Sequence, residues 1–318
     1  NLDIGLLSAT DSNTNDIHTF EFISGDNDTD NNKFSIQNYS SYSVLKINQL
    51  ADYETQSSYQ IRIKATDQDG LSIQKSFSLG VRDVNETPTA ITLSSTSFNE
   101  NITAASSVAT LSTTDDDSSD THTYALVTGT GDTDNSSFTI DGSSLKIKAS
   151  PNYETKSSYK IRLQTTDSEG EAYTKAFTLS VNDLNEAPTS WNFSSYYFDE
   201  NIAADSTVAI ISAVDEDQSD SHTYSLIDGY SVSSGNSNFY IDGNQLKIKT
   251  SPDYEAQSTY TVVVRVTDAE GLTSPDLYNT LRVNDLEEFT ATILGTSGTD
   301  SFLSTRSNDS IDGLGGTD

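Results

Sequence analysis

The chain has 318 residues, 48 Asp plus Glu against 17 Lys plus Arg, and a formal charge of −31, with no Cys and no Met. That charge argues against a nucleic-acid partner, since a phosphate backbone needs a basic surface, and against an anionic membrane face. No apolar run approaches the ~20 residues of a spanning helix, so no direct membrane insertion is expected, and zero Cys removes disulfides, zinc–thiolate sites and thiol nucleophiles.

In chain order, a unit of about 100 residues is written three times. Asp52-Tyr53-Glu54 returns as Asn152-Tyr153-Glu154 and Asp253-Tyr254-Glu255. Thr66-Asp67 with Gly70 returns as Thr166-Asp167 with Gly170 and as Thr267-Asp268 with Gly271. Asp83-Val84-Asn85-Glu86 returns as Asp183-Leu184-Asn185-Glu186 and, degraded, as Asp285-Leu286-Glu287-Glu288. The first copy carries four extra residues in one hairpin, nine steps from Ile36 to Leu45 against five from Ile140 to Leu145.

Within each unit the period is two. Tyr59, Ile61, Ile63 and Ala65 alternate with polar neighbours, as do Tyr159, Ile161 and Leu163, then Tyr260, Val262, Val264 and Val266. Phe77, Leu79, Val81 and Phe177, Leu179, Val181 give the last strands of the first two units. Such alternation predicts strands with one buried face. About seven short strands per ~100 residues, separated by Ser, Asp, Asn and Gly, predict an all-β, antiparallel, Ig-like Greek-key sandwich. Pro88 and Pro188 mark the exits. The expected organisation is three modules at 1–87, 88–187 and 188–290, with 291–318 distinct. Phe98-Asn99-Glu100 and Phe198-Asp199-Glu200 open the second and third units. Nothing equivalent precedes Asn1, so the first unit is expected to lack its opening strand, and the sequence reads as cut from something longer.

From about residue 291 the period becomes nine: Gly295, Ser304 and Gly313; Asp300, Asp309 and Asp318; Phe302 and Ile311. This is the spacing of the calcium-binding nonapeptide β-roll. With two copies and a fragment, the stretch is expected to be too short to order itself, since such solenoids gain stability from stacked neighbours.

Each unit carries acidic residues at the same stations: an opening Glu, an Asp-x-Asp, the Asp-Tyr-Glu, the Asp before a late Gly, and the exit Asp-x-Asn-Glu. Loops gather at the two ends of a sandwich, so the stations of adjoining modules can converge. Six to eight oxygens at ~2.3–2.6 Å are what Ca²⁺ takes.

These stations resemble those of cadherin repeats, over residues 1–290. The resemblance implies a first junction using Asp52, Glu54, Asp83, Asn85 and Glu86 with Asp115, Asp117 and Asp167. It implies a second using Glu100, Glu154, Asp183, Asn185, Glu186, Asp215, Asp217 and Asp268. Asn152 departs from the expected Asp, and the second linker Asp is Glu in both copies. Residues 295–318 resemble RTX proteins. Together the two resemblances imply the stalk of a large bacterial adhesin, extracellular or at the cell surface, exported by a type I secretion system. Its partners would be calcium ions and either a polysaccharide or another cell-surface protein, homophilic adhesion included.

Other residues read as structural. His18, His122 and His222 recur in register, which suits packing or a loop hydrogen bond better than catalysis. Trp191 stands where Ile91 stands one unit earlier and reads as core. No Gly-x-Ser-x-Gly elbow is present to mount a triad. A carboxylate pair for glycoside hydrolysis would lack a cleft, so no enzyme is expected. A calcium-stiffened spacer is favoured over a polysaccharide-binding module, because the exposed faces show Ser, Thr and Lys and no aromatic cluster. The third unit is the one expected to have gained a contact, through the Gly229–Gly235 loop and Ser274-Pro275-Asp276.

Overall fold

The computed structural model describes residues 1–13 and 16–286, and the nonapeptide stretch lies outside them. Among the described residues the chain is nearly all β, with three short 3-10 turns, and it divides into two compact units, residues 1–182 and Asp183 onward. No described helix is long and apolar enough to cross a membrane.

The first unit begins with β1 (Leu2–Leu7), β2 (Thr19–Phe22), β3 (Phe34–Asn38), β4 (Ser43–Ile47), β5 (Ser58–Thr66) and β6 (Ser72–Gly80). They form two three-stranded sheets, ordered β1-β4-β3 and β2-β5-β6. Tyr59, Ile61, Ile63 and Ala65 of β5 point inward, as their alternation requires, and meet Phe20, Phe34, Leu45 and Ile47. The unit continues with β7 (Ala90–Leu93), β8 (Ser97–Asn99), β9 (Ser107–Thr114), β10 (Thr123–Leu126), β11 (Phe138–Asp141), β12 (Ser144–Ile147), β13 (Ser158–Thr166) and β14 (Ala172–Asn182). These make two four-stranded sheets, β7-β9-β12-β11 and β10-β13-β14-β8, around Phe138, Leu145, Ile161, Leu163 and Leu179.

Eight strands stand here where seven were expected, because the opening strand is split. The Ser95 hydroxyl donates to the Ser97 carbonyl and accepts from the Ser97 N–H, breaking the chain between the sheets. β7 then pairs antiparallel with β9, and β8 pairs parallel with β14. Among the described residues the sheets of β1–β6 contain no counterpart of either strand, and Leu2, Leu6 and Ile73 are exposed there.

The second unit repeats the eight-stranded pattern with β15 (Ser190–Phe193), β16 (Tyr197–Asp199), β17 (Thr207–Val214), β18 (Thr223–Leu226), β19 (Phe239–Asp242), β20 (Gln245–Ile248), β21 (Thr259–Thr267) and β22 (Leu277–Asn284). The sheets are β15-β17-β20-β19 and β16-β22-β21-β18. Trp191 is core: it is 2% exposed, and its indole N–H donates to the Val264 carbonyl at 3.0 Å. Alternation fails at Val263, which is buried beside Val262 and Val264, because the turn at Ser233–Asn238 covers the other face of β21. Asn236 there accepts the Val263 N–H at 3.0 Å.

Candidate metal centres

The exit segment after β6 runs among acidic loops of the first unit. Carboxylate oxygens of Glu54, Asp83, Glu86 and Asp117 lie within 4.8 Å of one another. The backbone N–H of Glu86 donates to Asp117 Oδ2 at 2.7 Å, which fixes the segment against the Asp-x-Asp loop. Such crowding of like charges raises carboxyl pKa values. The Glu86 carboxyl is pushed up by burial and then by the charges of Glu54, Asp117 and Asp83. Its Oε2 is buried with no hydrogen-bond partner among the described residues.

A second cluster joins Asp115, Asp120 and Asp167, again within 4.8 Å. Asp167 is placed by its own turn: Oδ1 accepts the N–H groups of Glu169, Gly170 and Glu171 at 3.0, 2.6 and 2.8 Å. Gly170, at φ +104°, supplies the left-handed step that aims these donors inward. The side-chain amide of Asn85 donates to Oδ2 at 3.1 Å. Burial alone would raise the Asp167 pKa, but Asn85 and the turn amides outweigh it and hold the group ionised. Asp115 Oδ2 lies 2.7 Å from His122 Nε2. The recurring histidine therefore makes a loop hydrogen bond to a station residue.

Asp120 is absent from the sequence-based set. Its N–H caps a turn on Asp117, and its Oδ2 is buried with no partner among the described residues. Asp16 and Asp220 share both features. The signal was present in the sequence, since Asp-x-His recurs at Asp16, Asp120 and Asp220. A third cluster, Asp11, Asp16 and Asp67, repeats the arrangement in the first copy.

Asp52 holds its own turn. Its carboxylate accepts the Thr55 N–H at 3.0 Å and the Thr55 hydroxyl at 2.9 Å, and both bonds hold its pKa down. It caps the turn that presents Glu54, and it lies outside the four-residue cluster. Asn152 and Asp253 cap the same turn, onto the N–H groups of Thr155 and Ala256. An amide oxygen accepts an N–H as a carboxylate does, which accounts for Asn152.

The second station set falls partly in each compact unit. In the first unit, Glu100 is 1% exposed, accepts the Tyr153 N–H at 2.7 Å, and has an oxygen within 4.8 Å of Glu154. In the second unit, Asn185 donates to Asp268 at 2.9 Å and the Glu186 N–H donates to Asp217 at 2.8 Å. Asp215 meets His222 at 2.8 Å, and Asp183 and Asp217 oxygens lie within 4.8 Å. The first-unit pattern thus recurs bond for bond.

These donor sets fit a hard divalent cation. They consist of oxygens, as Ca²⁺ prefers, with no thiolate to favour a softer metal. Carboxylate oxygens buried without a partner, as at Glu86 and Asp120, are costly unless something positive sits beside them.

One expectation about exposed faces is corrected. An exposed aromatic pair does exist: Tyr39 and Tyr42 stack with centroids 4.6 Å apart and planes at 23°. In the third copy Asp276 receives Arg265 Nε and Nη2, both at 2.7 Å, and the Tyr230 hydroxyl at 2.7 Å, which ties the Gly229–Gly235 loop to the Ser274-Pro275-Asp276 stretch.

Residues 194–284 match the Cadherin domain family model. Mouse Protocadherin Fat 4 is 29% identical over 267 residues, 81% of this chain, and Caenorhabditis elegans Cadherin-4 is 25% identical over 237 residues, 72% of the chain. The chain spans about 5% of the length of these curated relatives. Among solved structures, mouse cadherin-23 EC22-24 superposes with a TM-score of 0.58 at 19% identity, covering 90% of this chain and 92% of that one. Protocadherin gamma B7 extracellular cadherin domains 1–4 give 0.58 at 19% identity, covering 83% and 66%. The described residues share the cadherin-like β-sandwich fold of these structures.

Proposed function

We propose that this chain is a calcium-stiffened extracellular spacer of an adhesion protein, made of three tandem modules at 1–87, 88–187 and 188–290, and without enzymatic activity. The observation that carries the reading is the pair of buried, partnerless carboxylate oxygens, Glu86 Oε2 and Asp120 Oδ2, inside clusters of three and four acids. Glu54, Asp83, Glu86 and Asp117 would hold one ion, and Asn85, Asp115, Asp120 and Asp167 another. Asp52 would support Glu54 from behind. Repeat equivalence extends the assignment to Glu100, Glu154, Asp183, Asn185, Glu186, Asp215, Asp217 and Asp268. The bound cation supplies positive charge that reverses the repulsion among the acids, while the residues themselves orient the loops and the exit segment. Binding only the ordered state also stabilises it.

The setting in a bacterial adhesin, exported by a type I system and leading into an RTX β-roll, rests on the nonapeptide spacing of residues 295–318. The named relatives are animal proteins. A polysaccharide-binding role is the second reading, favoured by the exposed tyrosine stack.

Titration calorimetry tests the main reading. Glu86→Gln and Asp120→Asn should each weaken calcium binding ~tenfold or more, whereas Glu169→Gln, an exposed charge outside both clusters, should change it less than ~twofold. Equal affinities in all three variants would refute the assignment.

A further inference from the structure

We propose that His122 and His222, with His18 in the same place, are positioning residues of the cation sites: each imidazole donates to the first Asp of its loop and fixes that carboxylate for the ion. The inference rests on the calcium reading above and adds to it a residue type that supplies no ligand oxygen.

The pair is made by its place between two strands. Asp115 immediately follows β9 and His122 immediately precedes β10, so their bond joins the two ends of the loop that carries Asp117 and Asp120. Asp215 and His222 stand in the same way between β17 and β18, and His18 immediately precedes β2. Nε2 lies 2.7 Å from Oδ2 in His122–Asp115, 2.8 Å in His222–Asp215 and 3.4 Å in His18–Asp11. A carboxylate only accepts, so each bond needs the proton on Nε2. The side chains of Asp115 and Asp215 are each 3% exposed, where a carboxylate without a donor is costly.

The acids around each histidine divide in one pattern. In the second copy Asp167 is held by Asn85 and its turn N–H groups and Asp115 by His122, while Asp120 keeps a buried Oδ2 with no partner among the described residues. In the third copy Asp268 is held by Asn185 and the N–H groups of Gly271 and Leu272, Asp215 by His222, and Asp220 keeps the open oxygen. In the first copy Asp67 accepts the N–H groups of Asp69 and Leu71, Asp11 meets His18, and Asp16 is the open one. Two acids fixed by hydrogen-bond donors and one left for the ion make a site whose ordering cost is met before binding. A histidine that only closed the loop could bond any acceptor there. Instead it takes a carboxylate, and those of Asp115 and Asp11 belong to the acidic clusters.

Two measurements on the 318-residue chain test the role. Selective ¹⁵N labelling reports the three imidazoles in EDTA, and Nε2 of His122 is expected to carry the proton. An unprotonated Nε2 there would overturn the proposal. Calcium is then titrated by NMR, with the Gly170 and Glu171 amides reading the site of His122 and those of Gly271 and Leu272 serving as internal reference. His122→Leu should weaken calcium ~tenfold or more at Gly170 and leave the reference within ~twofold. His122→Gln keeps an N–H donor at a similar reach and should recover the affinity to within ~threefold of wild type. If His122→Leu does not fold, His122→Asn, whose amide reaches only the Nδ1 position, takes its place with the same expectation. Equal affinity in wild type and the donor-less variant, or a loss in His122→Gln as large as in that variant, would refute the positioning role alone. A wild-type chain whose Gly170 and Gly271 amides ignore calcium would overturn the calcium reading and this proposal with it.

Discussion

Asn85 donates its side-chain amide to Asp167 Oδ2 at 3.1 Å, and one repeat later Asn185 donates to Asp268 Oδ2 at 2.9 Å. In each case the exit segment of one strand system is tied to the Asp of a distant turn, by a residue that can give a hydrogen bond and, through its oxygen, accept a cation. A carboxylate at the same position could do only the second.

Asn85→Asp should therefore behave oppositely in the two ionic states. Without metal it places a negative charge against an Asp167 held ionised by its turn, and the melting temperature should fall by ~2–5 °C. With millimolar calcium the deficit should shrink or vanish. Differential scanning calorimetry in EDTA and in calcium measures both; the same drop in the two buffers would show that no cation meets this residue.

The metal-free protein should also gain stability on mild acidification. Glu86 is raised by burial and by its acidic neighbours. Glu54 is drawn down by its own backbone N–H, yet burial and the charges of Asp83, Asp117 and Asp52 leave it raised. A carboxyl raised in the folded state binds its proton more tightly there, so stability falls as pH rises from the ordinary ~4.3 through the folded value. Asp167 and Asp268 are lowered, and their contribution, complete above the ordinary ~3.9, is lost as pH falls through their folded values. In EDTA the melting temperature should rise as pH falls through the raised values of Glu86 and Glu54 towards the ordinary ~4.3, and drop again as acidification below the ordinary ~3.9 protonates Asp167 and Asp268, with the upper limb flattened by calcium. A metal-free curve that declines from pH 7 to pH 5 would contradict the reading.

Ala105 sits at φ +65°, with its N–H bonded to the Ile147 carbonyl at 2.7 Å. A left-handed conformation costs an L-residue ~1–2 kcal/mol, of which glycine's extra chain entropy returns ~0.5–1. Ala105→Gly should stabilise the protein by up to ~1 kcal/mol, read as a higher urea midpoint at unchanged slope.

Gly235 shows the opposite constraint. A Cβ there would meet the Thr261 carbonyl oxygen at 2.6 Å and its nitrogen at 2.9 Å, and neither is a side-chain end that can swing away. Gly235→Ala should cost ~1–3 kcal/mol through displacement of the Ser233–Asn238 turn and the Asn236–Val263 bond. Chemical denaturation of the variant checks it, and a loss under ~0.5 kcal/mol would mean the turn is free to move.

The sheet-forming runs and the repeat are legible in the residue order alone, because strand alternation and turn residues are local properties. Tyr59, Ile61 and Ile63 face inward wherever β5 lies, and the recurrence of Asp-Tyr-Glu and Asp-x-Asn-Glu needs no coordinates. Tertiary structure decided what each polar atom meets. Asp52 and Glu54 are two residues apart and both carboxylates, yet one caps a turn on Thr55 and the other joins Asp83, Glu86 and Asp117. Asp120 was readable only as a companion of His122 until its buried oxygen was seen beside Asp115 and Asp167. Tyr39 and Tyr42 look like ordinary strand residues, three apart, and a hairpin extension turns them into a stacked exposed pair. Hydrogen bonding and charge act over a few ångströms between residues far apart in the chain, 82 positions from Asn85 to Asp167 and 83 from Asn185 to Asp268, and only the folded chain fixes those distances.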